Sequence, residues 1–498
     1  MLGARPVGDG LVEFGVWAPR ARAVSVLGSA LEPSGDEGMF SGRVAASSAA
    51  DYVFTLDDGR EWPDPCSRFQ PSGVRAPSRV VDLAESSIRD GPTLDLEHLV
   101  LYELHVGTFS RDGTFDGVRR RLGELAEAGI TAIELMPVAT FPGDRGWGYD
   151  GLYIYAPHPA YGGPAGFARL VDAAHAAGLA VILDVVYNHL GPGGEALEAF
   201  GPYLRAESDT LWGKAIDFRS IPVREWAIQN AEMWLRDYKV DGLRLDATHA
   251  IHDDESAVHV LRELAERARH VRPGALLISE MEIGDLRPLD EWAHDAQWED
   301  SLHHALHALL TGEREGYYAA YGSLEDVKAA LERSRPQFVV CAQNHDQVGN
   351  RAFGDRLTPA QDRLALSAVL FSRGTPLVFM GEEYGEKKPF QFFTDHLDPA
   401  IAKATREGRR REFADWHAFG TNDIPDPQAP STFEASQLEP RRPARWFREA
   451  LRLRRQLPGE LETVILDEQR LLLRRGRYEL LLDFEAVTAE LKQRDVAA

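Results

Sequence analysis

The segment GLRLDA, residues 242–247, is an apolar strand-like run that closes on the acidic residue Asp246. Three more segments close on polar or charged residues in the same way: DVVYNH at 184–189, LLISE at 276–280 and QNHDQ at 343–347. The segments place Asp246, Glu280 and Asp346 at strand ends that are spread over about a hundred residues of chain. Only a closed fold brings such ends together, so the pattern predicts an active site built on a barrel.

The sequence around these segments alternates between strand-like and helix-like patterns. TAIELMPV and AVILDVVY are typical of buried strands, and apolar residues at helical spacing, such as Val118, Leu122 and Leu125, lie between such runs. Alternation of this length predicts an α/β fold with a parallel sheet, and about eight such units predict a (β/α)8 TIM barrel. We assign the barrel to residues 96–430. Its substrate site is expected at the carboxyl ends of the strands, where the three carboxylates lie.

Two regions flank the predicted barrel. Residues 1–95 hold short apolar runs such as LVEFGVWA and DYVFTL between Gly, Pro and Asp turns, which predicts an N-terminal β-sandwich. Residues 431–498 hold one Arg-rich helix, RWFREALRLRRQLP, followed by the strand-like runs LETVIL, RLLLRR and YELLLDF. This tail predicts a short C-terminal β-rich domain. A chain of 498 residues is long enough for three domains.

Composition and charge exclude several classes of function. A formal charge of -23 argues against a nucleic-acid partner, since phosphate backbones require a basic face. No run approaches the roughly 18 apolar residues of a membrane span, and MLGARPVGDG lacks an export signal, so we expect a cytoplasmic protein with no membrane partner. Cys66 and Cys341 are too few for a disulfide framework and lack metal-ligand spacing. We expect two inert thiols, no cofactor and no metal.

The three carboxylates suit the cleavage of a glycosidic bond, which needs one carboxylic acid for the leaving oxygen and one carboxylate across the sugar ring. Arg244 and Asp246 are two residues apart on a strand, so both point to one face and the cation favours the ionised form of Asp246. Glu280 closes an apolar run, where desolvation would raise its pKa and retain its proton. Glu282 would share that strand face, so either glutamate could be the acid, and burial favours Glu280. Asp346 could hold the sugar in its distorted form.

The order and the residues of the four segments resemble the signature regions of the α-amylase superfamily of retaining glycosidases. The resemblance implies Asp246 as nucleophile, Glu280 as acid/base and Asp346 as transition-state stabiliser. It also implies an aromatic residue under the cleaved sugar near Tyr149, and an immunoglobulin-like module before the barrel. The residues expected to bind substrate are Tyr149, Asp150, His189, Arg244, His249, His345 and Gln347.

Longer strings narrow this resemblance: PDPCSRFQPSGV at 63–74, YELHVGTF at 102–109, RGWGYDGLYIYAPHPAYGGP at 145–164, HHALHALLTGE at 303–313 and FMGEEYGEKKPFQFFTDH at 379–396. They are similar to those members of the superfamily that release trehalose from a malto-oligosaccharide capped by a trehalose unit. The resemblance implies this capped chain as substrate, and functional coupling to a maltooligosyltrehalose synthase. Three alternatives stay open: a glucan branching enzyme, a general maltodextrin hydrolase and a non-catalytic carbohydrate-binding relative.

Several of these residues have a structural interpretation as well. Trp147 could either pack or stack on a sugar, and His189 and His345 could each be buried histidines of the core. Asn188 is a calcium ligand in some relatives. The segment that follows it has no Asp cluster to complete six or more oxygen ligands, so we predict no essential metal.

Overall fold

The computed structural model describes residues 2–35, 38–83, 86–209, 213–413 and 424–494. The N-terminal part is built from short strands: β1 (Gly3–Gly8), β2 (Leu11–Trp17), β3 (Val24–Val26), β4 (Ser29–Ala30), β5 (Glu32–Pro33), β6 (Met39–Ala45), β7 (Asp51–Tyr52), β8 (Phe54–Leu56), β9 (Glu61–Trp62) and β10 (Ser78–Arg79). They form two four-stranded antiparallel sheets, β1-β2-β6-β5 and β4-β3-β8-β9, and β7 pairs with β10. Phe14 and Phe54, on different sheets, pack edge to face at 6.3 Å between ring centroids. The predicted N-terminal β-sandwich is confirmed.

The next strands are β11 (Leu101–Leu104), β12 (Ala132–Leu135), β13 (Ala139–Thr140), β14 (Tyr153–Pro157), β15 (Ala180–Val185), β16 (Leu204–Asp209), β17 (Lys214–Ile216), β18 (Gly242–Leu245), β19 (Leu276–Ser279), β20 (Ala296–Trp298), β21 (Phe338–Cys341) and β22 (Thr375–Phe379). Eight of them close into a parallel barrel in the order β11-β12-β15-β18-β19-β20-β21-β22, which confirms the predicted fold class. The pairs β13/β14 and β16/β17 are antiparallel and lie outside the barrel sheet.

Helices alternate with the strands along the barrel part of the chain. They are α1 (Val106–Phe109), α2 (Phe115–Arg119), α3 (Leu122–Ala128), α4 (Gly163–Ala176), α5 (Glu195–Phe200), α6 (Ile221–Asp237), α7 (Val260–Val271), α8 (Arg287–Asp290), α9 (Ser301–Thr311), α10 (Leu324–Arg333), α11 (His345–Gly349), α12 (Pro359–Phe371) and α13 (Pro399–Glu412). The apolar stripe of Val118, Leu122 and Leu125 spans two helices, α2 and α3, rather than one. Gly129 ends α3 with φ 113°, a backbone conformation that favours glycine.

The barrel interior has an apolar lower part and a charged upper part. Alternate residues of the strands point inward, and the apolar interior consists of Leu99, Leu101, Ala132, Ala180, Ile182, Leu276, Ile278, Ala296, Trp298, Val339, Cys341 and Leu377. Further along the same strands the buried residues Glu103, Glu134, Asp184 and Arg244 follow. The strand pattern therefore delivers buried ionisable groups to the carboxyl ends of the strands.

The C-terminal part begins with α14 (Pro430–Ser436) and α15 (Arg445–Arg454) and continues as one antiparallel sheet of β23 (Glu462–Ile465), β24 (Arg470–Arg475), β25 (Tyr478–Asp483) and β26 (Thr488–Gln493). The predicted C-terminal β-rich region is confirmed. Arg454 and Arg475 both donate to the carbonyl of Ser372 at the end of α12, at 2.9 and 2.8 Å, so arginines of this tail join it to the barrel. Within the described ranges, no helix has the length and apolarity needed to cross a membrane.

Candidate active site

Asp246, Glu280 and Asp346 all lie at the carboxyl end of the barrel. Asp246 directly follows β18 and Glu280 directly follows β19, and their backbone N–H groups donate to the carbonyls of the preceding strands, Val185 at 3.0 Å and Leu245 at 2.9 Å. Asp346 lies in the first turn of α11, after β21. The sheet hydrogen bonds therefore fix the backbone beneath two of these carboxyl groups, and a helix start fixes the third.

Arg244 links the carboxyl groups of three different strands. Its Nη1 donates to Asp184 Oδ2 at 2.9 Å and to Asp246 Oδ1 at 2.7 Å, and its Nη2 donates to Glu280 Oε2 at 2.7 Å. The guanidinium is completely buried and its Cζ lies 4.2 Å from the ring centroid of Trp298. The planar guanidinium, held against this ring, fixes the positions of the Asp246 and Glu280 carboxyl groups relative to each other.

Two further donors complete the surroundings of these carboxyl groups. Asn188 Nδ2 donates to Asp246 Oδ2 at 2.7 Å, and the backbone N–H of Ala247 donates to Glu280 Oε2 at 2.8 Å. Ala247 has φ 40° and ψ 52°, a left-handed conformation that is uncommon for a residue with a Cβ. This strained backbone turns the N–H of Ala247 toward Glu280, and such strain is typical of functional sites.

The surroundings raise the pKa values of Glu280 and Asp184. Burial raises the pKa of Glu280 to about 8, against the lowering effect of Arg244 and with the support of Asp246 and Asp346. Burial likewise raises the pKa of Asp184 to about 7, again opposed by Arg244. Glu280 therefore keeps its proton at neutral pH, although a quarter of its side chain stays exposed toward the opening of the site.

Asp346 has the opposite charge state. Burial alone would raise its pKa, but the charge and hydrogen bond of His345 lower that pKa to about 2. His345 Nε2 lies 3.3 Å from Asp346 Oδ1, and Asn350 Nδ2 donates to the same oxygen at 3.0 Å. The site thus offers a neutral carboxylic acid, Glu280, beside a permanently ionised carboxylate.

The residues expected to bind substrate lie around this group of acids. The Tyr149 hydroxyl donates to Asp184 Oδ2 at 2.7 Å, and its ring stacks on His345 at 5.1 Å between centroids. His189 is buried and its Nδ1 contacts Asn188 Oδ1. Asp150 pairs with His396, whose Nε2 lies 3.7 Å from Asp150 Oδ2. His249 lies in the short 3-10 helix that follows Asp246, and Gln347 lies in α11, one residue beyond Asp346; both are half-buried.

Comparisons with known proteins identify the family to which this chain belongs. Residues 98–200 and 202–446 match the family model described as alpha amylase, catalytic domain. The chain belongs to the α-amylase family. It is 41% identical over 468 residues to the malto-oligosyltrehalose trehalohydrolase of Saccharolobus solfataricus, an alignment that covers 86% of this chain and 82% of the relative.

A second relative in the α-amylase family, the malto-oligosyltrehalose trehalohydrolase of a Rhizobium species, is 43% identical over 491 residues, covering 88% of this chain and 82% of the relative. A 1.4 Å crystal structure of a Salmonella typhimurium protein assigned as an alpha amylase superposes with a TM-score of 0.88 at 37% identity, covering 97% of this chain and 93% of that one. Family membership is thus supported over both the sequence and the fold.

The structure also decides between roles that the sequence left open for several residues. Trp147 packs in the core, because its ring stacks on Phe390 at 5.1 Å and its Nε1 donates to the carbonyl of Gln391 at 3.0 Å. Glu282 is exposed, whereas Glu280 contacts Arg244. Asn188 binds Asp246 through its amide nitrogen. Within the described part of the chain, no group of three or more His, Cys, Asp or Glu side chains is arranged to hold a metal ion.

Three acidic residues of this α-amylase-family site were missed as site residues by the sequence interpretation. Asp184 begins the signature DVVYNH and could have been recognised there, since it closes a buried strand like Asp246. Asp300 follows β20, where burial raises its pKa to about 7, with a further increase from Asp346. Glu103 lies on β11 and contacts His345, 242 positions away, and spacing in the sequence carries no signal for that contact.

Proposed function

We propose that the chain is a retaining glycoside hydrolase that cleaves the α-1,4-glucosidic bond next to the terminal trehalose unit of maltooligosyltrehalose and releases trehalose. The names of the relatives support the substrate, and the chemistry of the site supports the reaction type. The observation on which the proposal chiefly rests is the Arg244 fork, which holds Asp246 and Glu280 on one guanidinium.

In the proposed reaction, Asp246 is the nucleophile and Glu280 the general acid. Glu280 gives its proton to the bridging oxygen while an Asp246 oxygen forms a bond to the anomeric carbon and the bond to the leaving disaccharide breaks. Glu280, now ionised, then removes a proton from water, and the water oxygen displaces Asp246 from the anomeric carbon. A pKa of about 8 suits Glu280 to both steps, because it is protonated when substrate binds and close enough to neutrality to act as a base.

Asp346 is the proposed transition-state stabiliser. With a pKa of about 2 it is ionised throughout the working range, so it can face the positive charge that develops on the sugar ring. Tyr149 is proposed to lie under the sugar that is cleaved, where its ring is held by the stacking on His345. The proposed contacts to sugar hydroxyl groups come from Asp150, His189, Arg244, His249, His345 and Gln347.

Selection of trehalose requires walls on the leaving-group side of Glu280. Trehalose joins two glucoses through their anomeric carbons and is more bent than maltose, so a wrongly shaped disaccharide would leave buried polar groups unpaired. We assign this wall to the loops after β18, β19 and β21 and to residues 384–396, which follow β22. His396 of that segment lies with its Nε2 3.7 Å from Oδ2 of Asp150, another residue that we propose to contact the substrate.

One product analysis tests the proposal. The protein is incubated with a trehalose-capped malto-oligosaccharide and, separately, with plain maltohexaose, and the released sugars are separated and identified. Free trehalose from the capped chain, faster than maltose from maltohexaose, is expected. New α-1,6 branches would instead indicate a branching enzyme, equal cleavage of both substrates a general maltodextrin hydrolase, and no cleavage a binding protein. If plain maltodextrin yields trehalose only after a maltooligosyltrehalose synthase is added, the proposed coupling is supported.

A further inference from the structure

The imidazole of His345 is held between two carboxyl groups in the upper part of the barrel. Its Nδ1 lies 2.5 Å from Glu103 Oε1, and its backbone N–H donates to Glu103 Oε2 at 2.8 Å. Its Nε2 lies 3.3 Å from Asp346 Oδ1. An ionised carboxylate only accepts hydrogen bonds, so both ring nitrogens must carry a proton to satisfy both neighbours. With both carboxyl groups ionised, this geometry is that of an imidazolium.

We propose that Glu103 is a positioning residue of the reaction: it keeps His345 doubly protonated, so that Nε2–H holds the Asp346 carboxylate in its ionised, oriented form. The inference rests on the proposed role of Asp346 as transition-state stabiliser. Glu103 itself acts only through His345, since its two oxygens are used by the Nδ1 and the backbone N–H of that residue.

Burial makes this arrangement strong. Glu103 and His345 are each only 1% exposed, so water cannot replace either partner. Burial alone would lower the pKa of His345, but the charges of Asp346 and Glu103 and their hydrogen bonds raise it well above its ordinary value. If one member of such a buried pair loses its charge, the other is left uncompensated, which is costly.

The other ionisable groups around His345 do not supply the negative charge that Glu103 places against its Nδ1. The ring contacts Glu103, Tyr149 and Asp346, and its charge interacts with His105, Glu134 and Asp184. Burial lowers the pKa of His105 to about 3 and raises that of Tyr149 far above neutrality, so both are uncharged. Asp184 is bound by Arg244, and Arg244 lies on Trp298, whose ring also contacts His345.

Glu134 provides a matched control. It is the direct neighbour of Glu103 in the pairing of β11 with β12 and is also 1% exposed, and neither of its carboxyl oxygens has a hydrogen-bond partner among the residues that the structure describes. Burial, with the charge of Glu103, raises its pKa well above the ordinary value, so it is a neutral carboxylic acid. Glu134→Gln therefore changes neither shape nor charge, whereas Glu103→Gln keeps the shape and removes a charge.

The protonation of His345 can be measured directly. Protein labelled with 15N only in histidine is followed by NMR from roughly pH 5 to 9, and His345→Gln identifies the signals of this ring. We expect the imidazolium of His345 to persist over this range in the wild type and in Glu134→Gln. In Glu103→Gln the ring should lose a proton within the range, and in Glu103→Asp, which retains the charge, the imidazolium should be largely restored.

Activity provides the second readout, using whichever α-1,4-glucan the wild type cleaves fastest. Loss of a proton from His345 occurs as pH rises, so Glu103→Gln should lose kcat by about ten- to a hundredfold on the alkaline side of the new His345 pKa, with little change in KM. Its profile should approach that of the wild type at lower pH. Glu134→Gln should have the wild-type profile.

Three results would overturn the inference: a neutral His345 ring in the wild type, a Glu103→Gln protein with an unchanged spectrum and pH profile, or equal effects of Glu103→Gln and Glu134→Gln. The wild-type spectrum shows whether His345 is an imidazolium even if Glu103→Gln does not fold, and Glu103→Asp then shows whether a carboxylate set back by one methylene still keeps the ring doubly protonated. The NMR measurement uses no substrate. A protein with an imidazolium at His345 that releases no trehalose would refute the proposed function alone.

Discussion

Replacing Arg244 by Met should destabilise the protein and abolish its activity, for a reason that can be tested through pH. Arg244 is the buried cation whose guanidinium binds the carboxyl groups of Asp184, Asp246 and Glu280. Removing one member of a buried ion pair typically costs about 3–5 kcal/mol. We expect a loss of this size in the free energy of unfolding near neutral pH, measured by urea denaturation.

The loss should depend on pH in a defined direction. Without the guanidinium, at least one more of the three carboxyl groups takes up a proton in the folded state, so its folded pKa lies above its unfolded value. The folded protein then binds more protons than the unfolded chain, and stability falls as pH rises. One extra proton corresponds to about 1.4 kcal/mol per pH unit, so the cost of Arg244→Met should be about 3 kcal/mol smaller near pH 5 than near pH 7.

Arg224 offers a control because its ion-pair partners are not the acids of the site. It is also largely buried, and it pairs with Asp253 at 2.5 Å and Glu263 at 2.6 Å. Arg224→Met should lose stability while the remaining folded protein still cleaves the α-1,4 bonds of plain maltodextrin; a change in selectivity for trehalose-capped chains is compatible with this control, because Asp253 lies in the loop after β18. A pH-independent cost for Arg244→Met, or an Arg244→Met enzyme with activity like that of Arg224→Met, would show that Arg244 does not control the protonation of these carboxyl groups.

Three further predictions concern the reaction itself. Asp246→Ala, Glu280→Gln and Asp346→Asn should each lower kcat by about a thousandfold or more without unfolding the protein, while Glu282→Gln stays active; the reverse result for the two glutamates would exchange their roles. The carboxylates of Asp246 and Glu280 should lie about 5–5.5 Å apart in a substrate complex, and NMR of the first product should show the retained α-anomer, whereas a β-anomer would indicate an inverting reaction. Substitutions in residues 384–396 should reduce cleavage of trehalose-capped chains far more than cleavage of plain maltodextrin, and equal losses would mean that this segment only supports the barrel.

Most of the fold could be predicted because strand and helix periods are local properties of the sequence. The barrel strands that carry the signatures, such as β15 and β18, lie where their apolar runs predict them. The apolar run that begins at Leu99 predicts a strand from that residue, whereas β11 begins at Leu101, because Leu99 packs with the barrel interior before sheet pairing starts. Strand β26 gave no signal: it is a mostly exposed edge strand, TAELKQ, with no apolar alternation.

The site was predictable only where its residues end apolar runs. Asp246 and Glu280 directly follow strands, so their positions can be inferred from the pattern. The position of Glu103 against His345 depends on closure of the barrel between the first and last strands, which pair β11 with β22. The left-handed backbone of Ala247 is likewise invisible in the sequence, since alanine has no preference for it.

In the proposed mechanism, Asp246 forms a covalent bond to the sugar, and Glu280 supplies and removes the proton. Glu280→Gln can be reacted with an α-maltosyl fluoride, whose fluoride leaves without a proton from an acid, while the glutamine cannot activate water for the second step. Mass spectrometry of the digested protein should then find the maltosyl group on the peptide that contains Asp246. A maltosyl group on another residue, or steady fluoride release with no sugar bound to the protein, would contradict the account.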